Sequence, residues 1–386
     1  MHFIPYSRQH ISDDDIAAVV ATLRGDFVTQ GPAIDSFEVS FAERHRVTHA
    51  VAVSNATAGL HLACLALGVG PGSRVWTSPI SFVASANCAL YCGASIDFVD
   101  IDPATRNLSV DALRLKLEGA ALDGTLPQVV IPVDFAGLPC DLLEMRALAD
   151  RYGFAILEDA SHATGASYLG QPVGSRFADA TVFSFHAVKI LTTAEGGLVA
   201  THDAALARRL RALRSHGITR DAAALERASE GPWYYEQQSL GFNCRMTDLQ
   251  AALGSSQLKR LESMHARRSA LADRYDRLLA DLPLLLPARR ADRVSAWHLY
   301  SIEIDAERTA TPRLGVFNTL REAQIGVNVH YIPIHTQPYY ERLGFKRGDF
   351  PAAERYYGRC LSLPLYPTLT EAEQDRVVAC LRAVLA

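Results

Sequence analysis

Over the first half of the chain, apolar residues fall in short unbroken runs separated by longer stretches where they recur at helical spacing. His49 to Val53, Arg74 to Thr77, Ser95 to Val99, Val129 to Val133, Phe154 to Leu157 and Ala180 to Phe183 read as buried strands. Helices are predicted from about Ala56 to Leu67, Ser81 to Tyr91 and Asp141 to Tyr152. Strands separated by helices of this length imply an α/β fold, a mostly parallel central sheet with helices on both faces. Ligands of such sheets gather outside the carboxyl ends of the strands.

Beyond residue 245 the pattern changes. Met246 to Leu279 reads as one long linking helix, with Leu249, Leu253, Leu258 and Leu261 among its apolar positions, and a smaller α+β segment follows. That segment contains Trp297-His298-Leu299-Tyr300-Ser301-Ile302, proline turns at Ile332-Pro333 and Leu363-Pro364-Leu365-Tyr366-Pro367, and a last helix from about Glu371 to Val384. The expected division is a large domain over 1–245 and a linking helix with a small C-terminal domain over 246–386. Asp221 to Gly231, polar and alanine-rich, is read as a mobile loop.

A length of 386 residues with 49% hydrophobic content suffices for one large core and a smaller second one. The net charge of −4 provides no general attraction to polyanions, so nucleic-acid binding is not expected, while a local basic pocket for a diphosphate stays open. Met1-His2-Phe3-Ile4-Pro5 has no basic or long apolar leader, and no later apolar run reaches the ~20 residues of a membrane span. A cytoplasmic protein is expected. Seven scattered cysteines without a C-x-x-C pair read as reduced thiols, and the i,i+4 pair Cys88 and Cys92 as a buried helical face. The 13 histidines show no ligand spacing, so no metal is predicted.

Candidate chemistry centres on Ser184-Phe185-His186-Ala187-Val188-Lys189, followed by Thr192-Thr193-Ala194-Glu195-Gly196-Gly197. A lysine just beyond a buried strand can be partly desolvated, which lowers its pKa and makes its amine a nucleophile toward carbonyls. Upstream, a second strand leads into Glu158-Asp159-Ala160-Ser161-His162. A carboxylate at such a strand tip suits the protonated ring nitrogen of pyridoxal phosphate. Asn55-Ala56-Thr57 stands where a strand gives way to a helix, so free N–H groups, the positive helix end and a hydroxyl can converge on an anion. An Asn or Thr there also serves as an ordinary N-cap. Phe82 is either a ring that stacks on a flat cofactor or part of the core. His162 either bonds the cofactor hydroxyl or orients Asp159, or else pairs with backbone.

With these motifs in place, the chain resembles the DegT/DnrJ/EryC1/StrS family of pyridoxal-phosphate-dependent nucleotide-sugar aminotransferases, of fold type I. The match runs from Tyr6 to Tyr331 and includes Pro5-Tyr6-Ser7, Thr29-Gln30-Gly31, Ser54 to Leu60, Ser78 to Ala84, the lysine segment and His330-Tyr331-Ile332-Pro333-Ile334-His335. Within that family it is most similar to enzymes that aminate C4 of a UDP-4-keto-6-deoxy-N-acetylhexosamine on the way to pseudaminic acid, with L-glutamate as donor. The resemblance implies that Lys189 carries the cofactor as a Schiff base and that Asp159 holds the ring nitrogen, with pyridoxamine phosphate formed during turnover. It implies cofactor contacts from Ala56, Thr57, Phe82, His162, Ser184 and Asn243. Substrate contacts are implied for Tyr6, Asp26, Phe27, Val28, Thr29, Ala56, Ser184, His186, Asn243, Asn328, Val329, His330 and Tyr331. Asn243 corresponds to a residue that the neighbouring subunit contributes, so a homodimer with shared sites follows. Cys244 departs from the aromatic residue common after this asparagine in relatives. Family members that dehydrate rather than transaminate have lost the lysine, which Lys189 argues against. An aminotransferase for another 4-keto or 3-keto sugar, linked to dTDP or GDP, shares the same cofactor residues. A non-catalytic protein that binds pyridoxal phosphate would need neither Lys189 nor Asp159 at these spacings.

Overall fold

The computed structural model describes residues 2–385. Seven strands form the central sheet: β1 (His49–Val53), β2 (Arg74–Thr77), β3 (Ser95–Phe98), β4 (Val129–Ile131), β5 (Ala155–Asp159), β6 (Ala180–Ser184) and β7 (Gly197–Thr201). Their order across the sheet is β1-β7-β6-β5-β4-β2-β3. Neighbours pair in parallel except around β7, which runs antiparallel to both β1 and β6.

Period-two alternation explains why these strands read as unbroken apolar runs, since each face of the sheet is buried. Val51, Val53, Val75, Val129, Ile131, Leu157, Val182 and Val199 pack into one cluster with the helices Ala56–Ala66, Ala84–Tyr91 and Ala204–Arg214. The alternate positions face the other way. Ala50, Ala52, Phe183, Leu198 and Ala200 meet the helices Pro32–His45 and Asp248–Leu258, while Trp76, Val130 and Ile156 meet Val110–Asp123 and Leu142–Tyr152.

A further core lies under an antiparallel sheet of β8 (Leu284–Leu285), β9 (Tyr300–Ile304) and β10 (Cys360–Leu363), covered by the helices Leu261–Leu279, Arg313–Glu322 and Glu371–Leu385. Ile4 belongs to this core and pairs in parallel with Ile325.

Three expectations change in detail. The long linking helix is two helices, Asp248–Leu258 and Leu261–Leu279, broken at Lys259 and Arg260. The break turns the Arg260 guanidinium onto the buried Asp15 carboxylate, which Gln257 also reaches at 2.7 Å. The helix expected from Ser81 begins at Ala84, because Ser85 N–H bonds Phe82 O in a turn that precedes it. Phe154 precedes β5, whose last two residues are Glu158 and Asp159, so the acidic pair lies in the sheet rather than after it. Cys88 is fully buried beside Cys64, Sγ to Sγ 3.7 Å, and Cys92 is nearly so, as a buried helical face requires. Asp221 to Gly231 is an exposed irregular segment.

One buried ion pair ties the turn after β3 to the C-terminal sheet. Arg106 Nε and Nη2 bond Glu303 Oε1 at 3.0 and 2.6 Å, and both side chains are less than a tenth exposed. Arg106→Met strands the Glu303 carboxylate in a dry site and should lower stability by ~3–5 kcal/mol in urea unfolding. The added change Glu303→Gln should recover part of that loss. An unchanged unfolding midpoint for Arg106→Met would show that the pair carries no structural weight.

Candidate active site

The carboxyl ends of β1, β2, β4, β5 and β6 all lie at one end of the sheet, where the antiparallel β7 begins. The sequence-predicted chemistry therefore collects at this rim. Asp159 closes β5 and is buried. Its Oδ2 accepts from Ser85 Oγ at 2.6 Å and its Oδ1 from the Ser161 N–H at 3.1 Å. Ser85 spends its proton on Asp159, so Ser81 Oγ, 2.6 Å away, is the donor to Ser85. Sequence reading missed this hydroxyl relay; its signal is the i,i+4 spacing of Ser81 and Ser85 beyond a strand end.

Lys189 follows β6 in a turn closed by its own N–H on His186 O at 2.9 Å. Desolvation lowers its pKa to about 8, and the Asp159 carboxylate opposes that shift without cancelling it. Its ammonium makes no hydrogen bond or ion pair among the described residues. The amine is thus partly neutral near physiological pH, beside a carboxylate.

An anion cradle lies alongside. Asn55 Oδ1 caps the helix Ala56–Ala66 by accepting from Ala58 N–H at 2.8 Å, so the ordinary cap role falls to Asn55. The first-turn N–H groups of Ala56 and Thr57 are left for a ligand. Gly197 packs directly against this helix end: a Cβ there would stand 2.6 Å from Ala56 N and 2.8 Å from Asn55 O. Only glycine allows β7 to start so close to the cradle. Ser184, the buried last residue of β6, adds a hydroxyl at the same rim.

Three histidines and a tyrosine form the opposite wall. His162 Nδ1 accepts from the Ala136 N–H at 3.3 Å, and its Nε2 lies 3.1 Å from Tyr331 Oη. Burial first, then the Lys189 and His330 charges, hold the His162 pKa well below the usual range, so the ring is neutral with its proton on Nε2. The backbone partner is the plainest of the three expected roles, and among the described residues no bond joins His162 to Asp159. His330, lowered to about 4 by burial and the Lys189 charge, bonds Ser362 Oγ at 2.8 Å and lies 5.6 Å from the Tyr6 ring. Burial, Tyr6 and the Asp159 charge push the Tyr331 phenol up, which keeps it protonated. His298, 4.3 Å from His162 ring to ring and buried, was not foreseen; a lone His in the bend before β9 carries no motif.

Other expected residues stand apart from this wall. Phe82 is 60% exposed, so it is not core and presents its ring at the rim. His186 is exposed with Nε2 3.8 Å from Glu195 Oε1. Asp26, Phe27, Val28 and Thr29 form an exposed turn tied to the 247–248 segment through Val28 O and a Thr29–Thr247 bridge. Asn243 is exposed and bridges Ser215, while the next residue, Cys244, accepts the Ser54 N–H at 2.8 Å beside the cradle. Among the described residues no hydrogen bond links the 26–29 turn or Asn243 to Lys189 or Asp159. Asn328 Nδ2 lies 3.4 Å from His330 Nε2, and the Val329 N–H bonds Asn328 Oδ1, which fixes the approach to Tyr331.

Comparison with known proteins agrees with this chemistry. The model of the DegT/DnrJ/EryC1/StrS aminotransferase family matches residues 9–382. The spore coat polysaccharide biosynthesis protein SpsC of Bacillus subtilis is 42% identical over 387 residues, covering 100% of this chain and 97% of that protein. Among solved structures, Helicobacter pylori PseC, an aminotransferase involved in the biosynthesis of pseudoaminic acid, superposes with a TM-score of 0.89 at 30% identity, covering 100% of this chain and 99% of that one. A Streptococcus pneumoniae chain solved in its PMP form gives 0.89 at 31% identity, over 99% of this chain and 98% of that one, and has also been solved in a PLP form. The desolvated amine, the strand-tip carboxylate and the open helix end fit pyridoxal phosphate, the cofactor of this family.

Lys189 is one of four lysines in the chain, so its titration can be followed by peptide mapping. Trapping with borohydride after brief exposure of the cofactor-free chain to an aromatic aldehyde should label Lys189 with a pH midpoint of about 8, because the neutral amine is the reacting form. A midpoint at the ordinary lysine value of 10.5 would show that the amine is solvated.

Proposed function

This chain belongs to the DegT/DnrJ/EryC1/StrS aminotransferase family, and we propose that it transfers an amino group from L-glutamate to C4 of a UDP-4-keto-6-deoxy-N-acetylhexosamine, giving a UDP-4-amino-4,6-dideoxy sugar. The observation that carries the reading is a partly neutral lysine amine beside a hydroxyl-held carboxylate at the strand ends. When bound, pyridoxal phosphate supplies an electron sink for the carbanion formed at the amino-bearing carbon. Lys189 Nζ serves first as nucleophile and then, released, takes a proton from one carbon and returns it to another; its lowered pKa suits both tasks. Asp159 keeps the ring nitrogen protonated, and Ser85 fixes which way the carboxylate faces. The Ala56 and Thr57 N–H groups and Ser184 Oγ bind the phosphate, and Phe82 covers the ring. Tyr6, Asn328, Val329, His330 and Tyr331 line the side where the sugar enters.

The likeness to PseC supports a pseudaminic-type UDP sugar. The likeness to SpsC, at higher identity, supports a second reading, a keto sugar destined for a polysaccharide, with the same cofactor chemistry. A panel of 4-keto and 3-keto sugars on UDP, dTDP and GDP, with glutamate as donor, separates the two by turnover. In that assay Lys189→Ala should keep its fold, lose transamination and lack any borohydride-fixed cofactor. Asp159→Asn should fall by about 10²-fold or more in kcat with a much smaller loss of cofactor affinity. Parent-like turnover by Asp159→Asn would remove it from the ring-nitrogen role; Glu158 cannot replace it, being fully buried on Thr181.

The reading includes a homodimer with shared sites. Its support is Asn243, exposed on a segment that runs beside the cradle. Once each is shown to be impaired and subunit exchange is confirmed, mixing Lys189→Ala with Asn243→Ala chains should restore partial activity, because a two-fold interface rebuilds one site with both intact residues. No recovery after exchange would mean that each chain supplies its own asparagine.

A further inference from the structure

Glu158 and Asp159 are successive residues of β5, so their side chains leave opposite faces of the sheet. Glu158 is completely buried. Its Oε2 accepts from Thr181 Oγ1 at 2.7 Å, and its Oε1 has no partner. Asp134, also completely buried, sits just beyond β4. Its Oδ1 accepts from the Cys140 N–H at 2.8 Å, and its Oδ2 has no partner. Each carboxyl perturbs the ionisation of the other. Two buried, unpartnered acceptors cannot satisfy one another without a hydrogen, and two neighbouring carboxylates cannot both ionise in a dry site. One proton resolves both faults.

The surroundings offer no other remedy. The groups facing the pair are the Thr181 hydroxyl, the Cys140 thiol, itself pushed up by burial and the Asp134 charge, and the Asp159 carboxylate. Asp141, nearby, is engaged by Arg293 at 2.5 Å. Among the described residues no cation bonds either acid. Burial pushes both carboxyls up, and neighbouring acidic charges add to it.

We propose that Asp134 and Glu158 share a single proton, and that this pair is the positioning element that locks the 134–140 turn to the strand bearing Asp159 and thereby sets the tautomer of His162. The turn is held closely. The Asp134 N–H bonds Asp159 O at 3.1 Å, Ala136 and Gly137 adopt φ of +58° and +99°, and a Cβ on Gly137 would stand 2.8 Å from His162 O. The next link is the Ala136 N–H on His162 Nδ1, which leaves the ring proton on Nε2 for Tyr331. A second charge between the acids would drive the turn from β5 and withdraw that N–H.

This inference rests on the proposed site for what the turn positions, but thermal melting of the cofactor-loaded protein tests the proton alone. Carboxyls raised in the folded state contribute stability at low pH that is lost as pH rises through their folded values. The parent should therefore melt lower on the alkaline side. Glu158→Gln puts a permanent N–H toward Asp134 Oδ2 and keeps an oxygen on Thr181, so it should melt within about 2 °C of the parent near neutrality and escape part of the alkaline loss. Glu158→Ala should melt about 5 °C or more lower and shift the pH titration of the bound cofactor's visible band, which Glu158→Gln should not. Equal damage from Gln and Ala, or identical alkaline slopes in parent and Glu158→Gln, would overturn the shared proton. An unshifted cofactor band in a folded Glu158→Ala protein would overturn the positioning role. If the alanine variant does not fold, infrared difference spectra decide: a buried protonated-carboxyl band in the parent that disappears in Glu158→Gln sustains the proposal, and its absence from the parent ends it. Failure of the transamination reading would leave these melting and infrared outcomes untouched.

Discussion

Removing the Lys189 amine from water is the constraint on which the site depends. A surface lysine at neutral pH is almost wholly cationic and inert toward carbonyls. Partial burial shifts Lys189 to about 8 even though Asp159 pulls the other way. The two effects have to be balanced. Without the carboxylate the amine would fall further and lose its capacity to return a proton; with stronger pairing it would remain an ammonium. Asp159 accepts from Ser85 Oγ and the Ser161 N–H, and among the described residues no hydrogen bond joins it to Lys189.

Topology delivers these groups to one rim. In the parallel part of the sheet every strand end points the same way, so β1, β2, β4, β5 and β6 each send a loop to the site. The reversed β7 starts where the others stop, which lets Gly197 approach the helix end at Asn55 and Ala56. Any side chain at 197 would meet backbone atoms that cannot move without shifting the cradle. Gly197, visible in the sequence as part of a glycine pair, is therefore a consequence of backbone contact, whereas Gly196 meets the side chains of Thr193, Met246 and Phe185.

Six of the seven sheet strands were legible because apolar runs encode them, as were the positions of Lys189 and Asp159 at strand ends; β7 (Gly197–Thr201), behind the paired glycines, was not read as a strand. The C-terminal break at Lys259 and Arg260 was not legible either, since leucine spacing continues across it and only the distant Asp15 accounts for the turn. Ser85, His298 and Asp134 were equally silent. Each acts through a partner more than 20 residues away, Asp159, His162 and Glu158 respectively, and no period or spacing in one chain reports such contacts. His162 shows the middle case, where its position beyond β5 was readable but its neutral form and its bond to Ala136 N–H follow only from the fold.

The residues proposed to face the sugar rest on different supports from those proposed to hold the cofactor. His330 bonds Ser362 on β10, Asn328 bridges the same serine, and Tyr6 O accepts the Leu365 N–H at 3.0 Å, all contacts of the C-terminal sheet region. The cradle, Asp159 and Lys189 belong to the central sheet. A change in the loop after Ile325 or near Tyr6 can therefore reshape the proposed substrate side while the carboxylate, amine and helix end keep their positions. Tyr331 Oη on His162 Nε2 joins the two sets, as does Ser7 Oγ on Val188 O beside Lys189. Since His162 must present its Nε2 proton for the Tyr331 bond, the tautomer fixed by the Ala136 N–H links the proposed substrate side to the cofactor side.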